Sequence, residues 1–77
     1  MIYGTKLLDT DTELFAAALS QTSVYVWSLD TYGVFFQVGT GIIEKFTPDY
    51  VRVRSEQEPG KRILYPRESC EFSIRSV

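Results

Sequence analysis

Hydrophobic and polar residues alternate along much of the chain after residue 22, and this alternation is typical of β-strands. Residues 23–29 are dense in β-branched and aromatic side chains, and residues 34–38 form a second segment of the same kind. Residues 30–33 between them read Asp-Thr-Tyr-Gly, with aspartate first and glycine fourth, as a type I turn prefers. This part of the chain therefore predicts two strands joined by a tight turn.

Two glycines interrupt the apolar stretch that follows the second predicted strand. Gly39 and Gly41 stand inside a strand pattern, where glycine commonly marks a bulge or a sharp bend. We therefore predict one long strand over residues 34–47 that bends in its middle. Residues 51–54 then alternate valine with arginine, which predicts a strand with its valines facing the core and its arginines facing outward.

Two shorter strands complete the predicted sheet. Pro59-Gly60 suits the central positions of a type II turn, and a short strand over residues 62–65 follows it and stops at Pro66. Apolar and polar residues alternate again over residues 70–75, which predicts the last strand.

One helix is predicted before the strands. Thr10 stands three residues before Glu13, the spacing of a capping box, and a run of good helix formers follows. We predict a short helix over residues 11–20. Residues 1–8 fit either an added edge strand or a loose arm.

Composition limits the size and the chemistry of the protein. The chain has 77 residues, enough for one domain with one small core, and 44% of its residues are hydrophobic. It has no histidine and a single cysteine, Cys70, so soft-ligand metal sites and a cysteine–histidine nucleophile are excluded. We find no catalytic machinery and no cofactor motif, and we expect a protein that is not an enzyme and needs no cofactor.

A single cysteine also permits no internal disulfide, which favours a reducing compartment, and we expect a cytoplasmic protein. The longest apolar runs, residues 15–19 and 34–36, are far too short to span a bilayer. The net charge of −2 does not favour nucleic acid as the partner.

Residues 41–53 carry the one resemblance to a known family. They read Gly-Ile-Ile-Glu-Lys-Phe-Thr-Pro-Asp-Tyr-Val-Arg-Val: a glycine at the bend, a strand, a turn and an apolar strand. This stretch resembles the first motif of Sm-like proteins, and the order of predicted elements over residues 11–75 resembles small SH3-like and Sm-like barrels. The resemblance implies a mainly β fold, a small barrel of about five strands with one short N-terminal helix.

The residues that build the RNA pocket of the Sm-like family are replaced in this chain. Thr47 and Tyr50 stand where that family usually has an aspartate and an asparagine. Residues 67–70, Arg-Glu-Ser-Cys, stand in place of the family's second motif, Ile-Arg-Gly. The resemblance therefore implies a fold, and RNA binding is not carried over with it.

Arginines on the outward phase of the later strands form a candidate basic face. Its members are Arg52, Arg54, Arg62 and, in the same phase, Arg75. One interpretation is a face that binds phosphate or carboxylate groups. The other is a solvated face on which the arginines pair with acidic residues of neighbouring strands, namely Glu44, Glu56, Glu58 and Glu71. We favour the second, because residues 41–77 carry a net charge of only +1.

Aromatic residues on two adjacent predicted strands form a candidate interface. If Val24, Val26, Val34 and Phe36 face the core, then Tyr25, Trp27 and Phe35 lie on the opposite face of the sheet. Such a face is covered by the helix or by the N-terminal arm, contacts another protein, or stacks nucleic-acid bases.

Two further candidate sites are a sheet edge at residues 62–65 and the thiol of Cys70. Residues 62–65 fit a sheet edge at which Leu64 would contact another copy, through the last strand of that copy, as the resemblance implies. Cys70 fits a small buried apolar residue better than a nucleophile.

Taken together, these residues predict a non-enzymatic protein-interaction module or small subunit that self-associates. The alternative function is nucleic-acid binding by a Sm-like barrel.

Overall fold

Six strands and one short helix make up residues 4–75, the part of the chain that the computed structural model describes. The elements are β1 (Thr5–Leu7), α1 (Asp11–Leu19), β2 (Val24–Leu29), β3 (Phe35–Phe46), β4 (Tyr50–Ser55), β5 (Arg62–Pro66) and β6 (Cys70–Arg75). The prediction of a mainly β fold with one short helix near the N-terminus is confirmed.

The helix begins at the predicted capping box. The Thr10 hydroxyl accepts a hydrogen bond from the Glu13 backbone N–H at 3.2 Å, and the Glu13 carboxylate accepts one from the Thr10 N–H at 3.1 Å. The Asp9 N–H also donates to this carboxylate, at 2.9 Å. These backbone donors, with that of Asp9 acting most strongly, lower the pKa of Glu13. Leu14 and Ala17 of the helix are buried in the core.

All strands join one antiparallel sheet with the order β1-β6-β2-β3-β4-β5. The sequence predicts about five strands, whereas residues 4–75 contain six. The additional strand is Thr5–Leu7, which pairs with β6 at an edge of the sheet. Within residues 4–75, β1 and β5 are the two edges and do not pair with each other, so the ladders leave the sheet open.

Strand β3 bends and takes part in two halves of the sheet, as the two glycines predicted. Its first half pairs with β2 and its second half with β4, and Gly41 is where the two ladders meet. A Cβ on Gly41 would overlap the backbone carbonyl of Arg54, and a Cβ on Gly39 would overlap the Tyr65 hydroxyl. Gly39 therefore lies against β5 and Gly41 against β4, with no room for a side chain at either position.

The core lies between these two halves of the sheet. Val24, Val26 and Phe72 face it from one half, and α1 adds Leu14 and Ala17. Tyr65 of β5 meets Phe72 of β6 edge-on, with ring centroids 6.3 Å apart. From the other half come Ile43, Val51, Val53 and Tyr65.

Two residues that the alternation placed in the core are instead exposed. Val34 has 58% and Phe36 47% of its surface accessible. The reason lies in the pairing of β2, which contacts β6 only between Tyr25 and Ser28. Phe36 pairs with Ser28, which lies opposite Cys70 at the first residue of β6, and Val34 lies beyond that end of the ladder. Phe36 is therefore at the margin of the core and Val34 is past it.

Arg67 joins the helix to the turn between β3 and β4. Its guanidinium lies 2.7 Å from an Asp11 carboxylate oxygen and donates to the Thr47 carbonyl at 2.8 Å. It also lies over the Phe46 ring, 5.9 Å from the centroid. The start of α1 is thereby tied to the second half of the sheet.

We predict that Gly41→Ala lowers the free energy of unfolding by more than about 2 kcal/mol, because the added methyl group meets backbone atoms that cannot turn aside. Gly33→Ala is the matched control. Its Cβ would meet nothing within 4 Å, so it costs only the strain of φ +81°, roughly 1 kcal/mol. Urea unfolding of both variants measures the difference. Equal losses would contradict the close approach of β3 and β4.

Candidate interaction surfaces

Large hydrophobic side chains are concentrated on the exposed end of the β2–β3 hairpin. We call residues 29–38 the hairpin tip. Its exposed apolar side chains have between 37% and 89% of their surface accessible, with Tyr32 the most exposed. They are Leu29, Tyr32, Val34, Phe35, Phe36 and Val38. Phe35 and Leu29 form a cross-strand pair on one face of the hairpin, and Phe36 lies on the other face. Exposed apolar side chains clustered in this way are typical of a protein contact.

The hairpin tip is an ordered turn. The Asp30 carboxylate accepts hydrogen bonds from the N–H groups of Tyr32 and Val34, at 2.8 and 2.9 Å. The Asp30 N–H donates to the Val34 carbonyl at 2.9 Å, and Gly33 supplies a positive φ of 81°. The apolar side chains are thus held on a fixed backbone, which lowers the entropy cost of binding.

Tyr25 and Trp27 lie together, with ring centroids 6.4 Å apart, and both are half-buried. The Trp27 indole N–H donates to the Ser73 hydroxyl at 2.8 Å, which gives this fully buried serine a partner. Leu7 of β1 pairs with Ser73 and covers part of the same face. Of the three predicted aromatics, only Phe35 belongs to the hairpin tip, where it pairs with Leu29.

The three predicted arginines converge on one carboxylate. Glu44 has its oxygens 2.8 Å from Arg62 Nε, 3.5 Å from Arg52 Nε and 3.6 Å from Arg54 Nη1. Glu44 lies at a bulge in β3, and the next residue, Lys45, is the cross-strand partner of Arg52. We call Glu44, Lys45, Arg52, Arg54 and Arg62 the basic face, on which three arginines lie within ion-pair distance of a single carboxylate.

The other charged residues considered for this face lie elsewhere. Arg75 is in β6, where it pairs with Thr5 of β1, two strands beyond β3. Glu58 pairs with Lys61 at 3.1 Å, and Glu56 accepts a hydrogen bond from Ser23. Of the acidic residues considered as partners of these arginines, Glu44 is the one that pairs with them within residues 4–75. The basic face therefore has more positive than negative side chains.

Leu64 lies on the free edge of the sheet, on β5, which β4 separates from β3 and its hairpin tip. It is 61% exposed on β5, which pairs only with β4 among the described strands. The prediction that β5 pairs with the last strand of another copy is wrong. That strand is β6, which already lies between β1 and β2 in its own chain. The Leu8 N–H also donates to the Phe72 carbonyl at 2.8 Å, which extends the cover of β6.

Sequence reasoning missed one apolar surface. Phe15 and Leu19 of α1 are 57% and 75% exposed, beside a groove of about 390 Å³ between the helix and the second half of β3. Leu14 and Ala17 are three residues apart and lie on one side of the helix, which faces the core, so Phe15 and Leu19 are turned toward solvent.

Cys70 is half-buried at the start of β6. Burial raises the pKa of its thiol, only partly offset by a weak contact with the Ser69 hydroxyl at 4.0 Å. At neutral pH the thiol therefore stays protonated, which does not support a nucleophilic role.

We predict that Cys70 reacts with Ellman's reagent more than about tenfold more slowly in the folded protein than in the chain unfolded by urea at the same pH, because a raised pKa and partial burial both reduce the reactive thiolate. The rise in absorbance of the released thiolate measures both rates. Equal rates would contradict the buried, protonated thiol.

Between residues 4 and 75, no helix is long and apolar enough to cross a membrane. The same residues hold no cluster of three or more acidic or cysteine side chains arranged for a metal ion. Comparison with protein-family models, with curated proteins and with solved structures finds no match to this chain. The function is therefore argued from the surfaces alone.

Proposed function

We propose that this chain is a non-enzymatic protein-interaction module or small subunit that self-associates through its hairpin tip. The observation that carries the proposal is the ordered turn at residues 30–33, flanked by exposed apolar side chains. Exposed apolar side chains clustered outside the core of a small domain are typical of a contact with another chain.

A second copy fits the hairpin tip by charge. Asp30 is the only acidic or basic residue in residues 29–38, so two tips would bring together one carboxylate from each copy. The small core of a chain this size also gains from association.

We also propose the kinship with Sm-like and SH3-like barrels and the cytoplasmic location that we expect from the sequence. Helix, strand, long bent strand, hairpin and final strand follow one another in the order on which the Sm-like and SH3-like resemblance rests. The contact between Tyr65 and Gly39 across the interior supports a barrel-like arrangement. A lone, half-buried cysteine supports a reducing compartment such as the cytoplasm.

Nucleic-acid binding is the second candidate, and the observation that favours it is the excess positive charge of the basic face. Retention on immobilised oligouridine that falls steeply with added salt is the test for it. Glu44 at the centre of the arginines would repel phosphates, which ranks this function below the first.

We predict that the mass of the protein rises above that of one chain at tens of micromolar, measured by light scattering coupled to size-exclusion chromatography. Val34→Glu and Phe36→Glu should return it to one chain without lowering the midpoint of thermal unfolding of the monomer, because both side chains are exposed and lie outside the core.

Gln57→Glu is the matched control, since it adds the same charge at an exposed position in the β4–β5 turn. It should leave the mass unchanged. A mass of one chain at every concentration of the parent protein would contradict self-association. Dissociation by the control as well would show that net charge, and not the hairpin tip, governs the assembly.

A further inference from the structure

The free edge of β5 has a defined set of backbone groups available for pairing. In an antiparallel pair, alternate residues of a strand direct both N–H and C=O toward the neighbour, and the residues between them direct both away. The Ser55 N–H donates to the Lys61 carbonyl at 2.8 Å, and the Arg67 N–H donates to the Asp49 carbonyl at 2.8 Å. These two bonds fix the phase of the ladder at both ends of β5.

With this phase, Ile63 and Tyr65 direct their backbone groups toward β4. Arg62, Leu64 and Pro66 direct theirs away from it, along the free edge. The edge therefore offers the N–H groups of Arg62 and Leu64 and the carbonyls of Arg62, Leu64 and Pro66. Pro66 has no N–H group. At its position in the ladder an N–H would point away from β4, so no hydrogen bond to β4 is lost, as expected for a proline in an edge strand.

Side chains on the two faces of this edge differ in character. The outer face carries Arg62 and the exposed Leu64, whose cross-strand partners on β4 are Arg54 and Arg52. The inner face carries Ile63, which is half-buried and packs against the edge of the core. A strand added here would meet Arg62 and Leu64 on one face, with the arginines of β4 one strand further in, and an apolar side chain on the other.

We propose that the free edge of β5 binds an extended, acidic segment of a partner protein by antiparallel strand addition. The segment alternates acidic with apolar residues: the acidic side chains face the arginines and the apolar ones face Ile63. Antiparallel addition is favoured because every existing ladder in the sheet is antiparallel and this pairing is the more stable. This site is separate from the hairpin tip and does not depend on self-association.

Charge and backbone geometry decide between occupants. A second β5 would bring two basic faces together, which like charges oppose. A nucleic acid would use the arginines but has no alternating amide groups to pair with the edge. An acidic strand satisfies both the backbone groups and the excess positive charge.

The test uses a fluorescein-labelled peptide that alternates glutamate with valine, and fluorescence anisotropy with the full chain. We expect saturable binding that weakens with added salt. A peptide with lysine in place of glutamate should bind at least about tenfold more weakly.

Backbone methylation of the peptide tests the pairing without any change to the protein. In the proposed register the glutamate N–H groups point to β5 and the valine N–H groups point to solvent. N-methylation of the glutamates should abolish binding, whereas N-methylation of the valines should leave it nearly unchanged. Equal loss with both peptides, or loss with the valine-methylated peptide alone, would overturn the proposed pairing.

Variants of the protein test the same edge from the other side. Leu64→Pro removes one outward N–H and should weaken binding about fivefold to tenfold relative to Leu64→Ala, which keeps it. Arg62→Gln should weaken binding and reduce its salt dependence. Thermal unfolding followed by circular dichroism identifies variants that fold; if Leu64→Pro does not, the methylated peptides decide.

Three results would overturn the proposal. The first is no binding of the glutamate–valine peptide at low salt. The second is equal affinity of folded Leu64→Pro and Leu64→Ala for that peptide. The third is displacement of the peptide by oligouridine, if oligouridine binds more tightly than the peptide and its binding depends on the arginines alone. This result would assign the basic face to nucleic acid. Self-association through the hairpin tip is measured separately, so either proposal fails without the other.

Discussion

The path of β3 through Gly39 and Gly41 is the constraint on which the rest of the structure depends. A straight strand of this length would pair with β2 and β4 along one flat sheet and leave no interior. Because both positions lack a Cβ, the strand passes close to the Arg54 carbonyl and the Tyr65 hydroxyl, and its two halves join different ladders. The core forms between the two halves, and α1 contributes Leu14 and Ala17 to it.

The same strand also sets where the candidate surfaces lie. Its first half begins in the hairpin tip, at and beyond the end of the β2–β6 ladder, so the apolar side chains there stay exposed. Its second half carries the bulge at Glu44, around which Arg52, Arg54 and Arg62 gather. Exposed apolar side chains and a basic face are thereby held on different parts of a single small domain.

Local patterns in the sequence predict the elements well. The capping box at Thr10 and Glu13, the turn at residues 30–33 and the bend at the glycines each depend on residues close together in the chain, and each is present in the structure. The alternation over residues 51–54 also predicts the buried valines of β4.

What the sequence does not predict depends on the lengths of neighbouring strands. Val34 and Phe36 have the right phase, but the β2–β6 ladder ends at the Ser28–Cys70 pair, which leaves Phe36 at the margin of the core and Val34 beyond it. Likewise, β6 looks like an edge until Thr5–Leu7 pairs with it, and Glu44 reaches three arginines because of a bulge with no sequence signal of its own. In each of these cases the outcome depends on which distant strands pair with each other. The alternation of residues within one strand does not indicate that pairing.

The central claim, that bent β3 meets β5 across the interior, is tested most directly by a double-mutant cycle of Gly39→Ala and Tyr65→Phe in chemical unfolding. Gly39→Ala alone should lose roughly 1–3 kcal/mol, because its Cβ overlaps the buried hydroxyl. Tyr65→Phe removes that oxygen and leaves the ring carbon Cζ 3.2 Å from the new methyl group, a distance that a small shift relieves. We predict that the double variant loses at least about 1 kcal/mol less than the sum of the single losses. Additive losses would mean that the two residues do not touch, and would contradict the account.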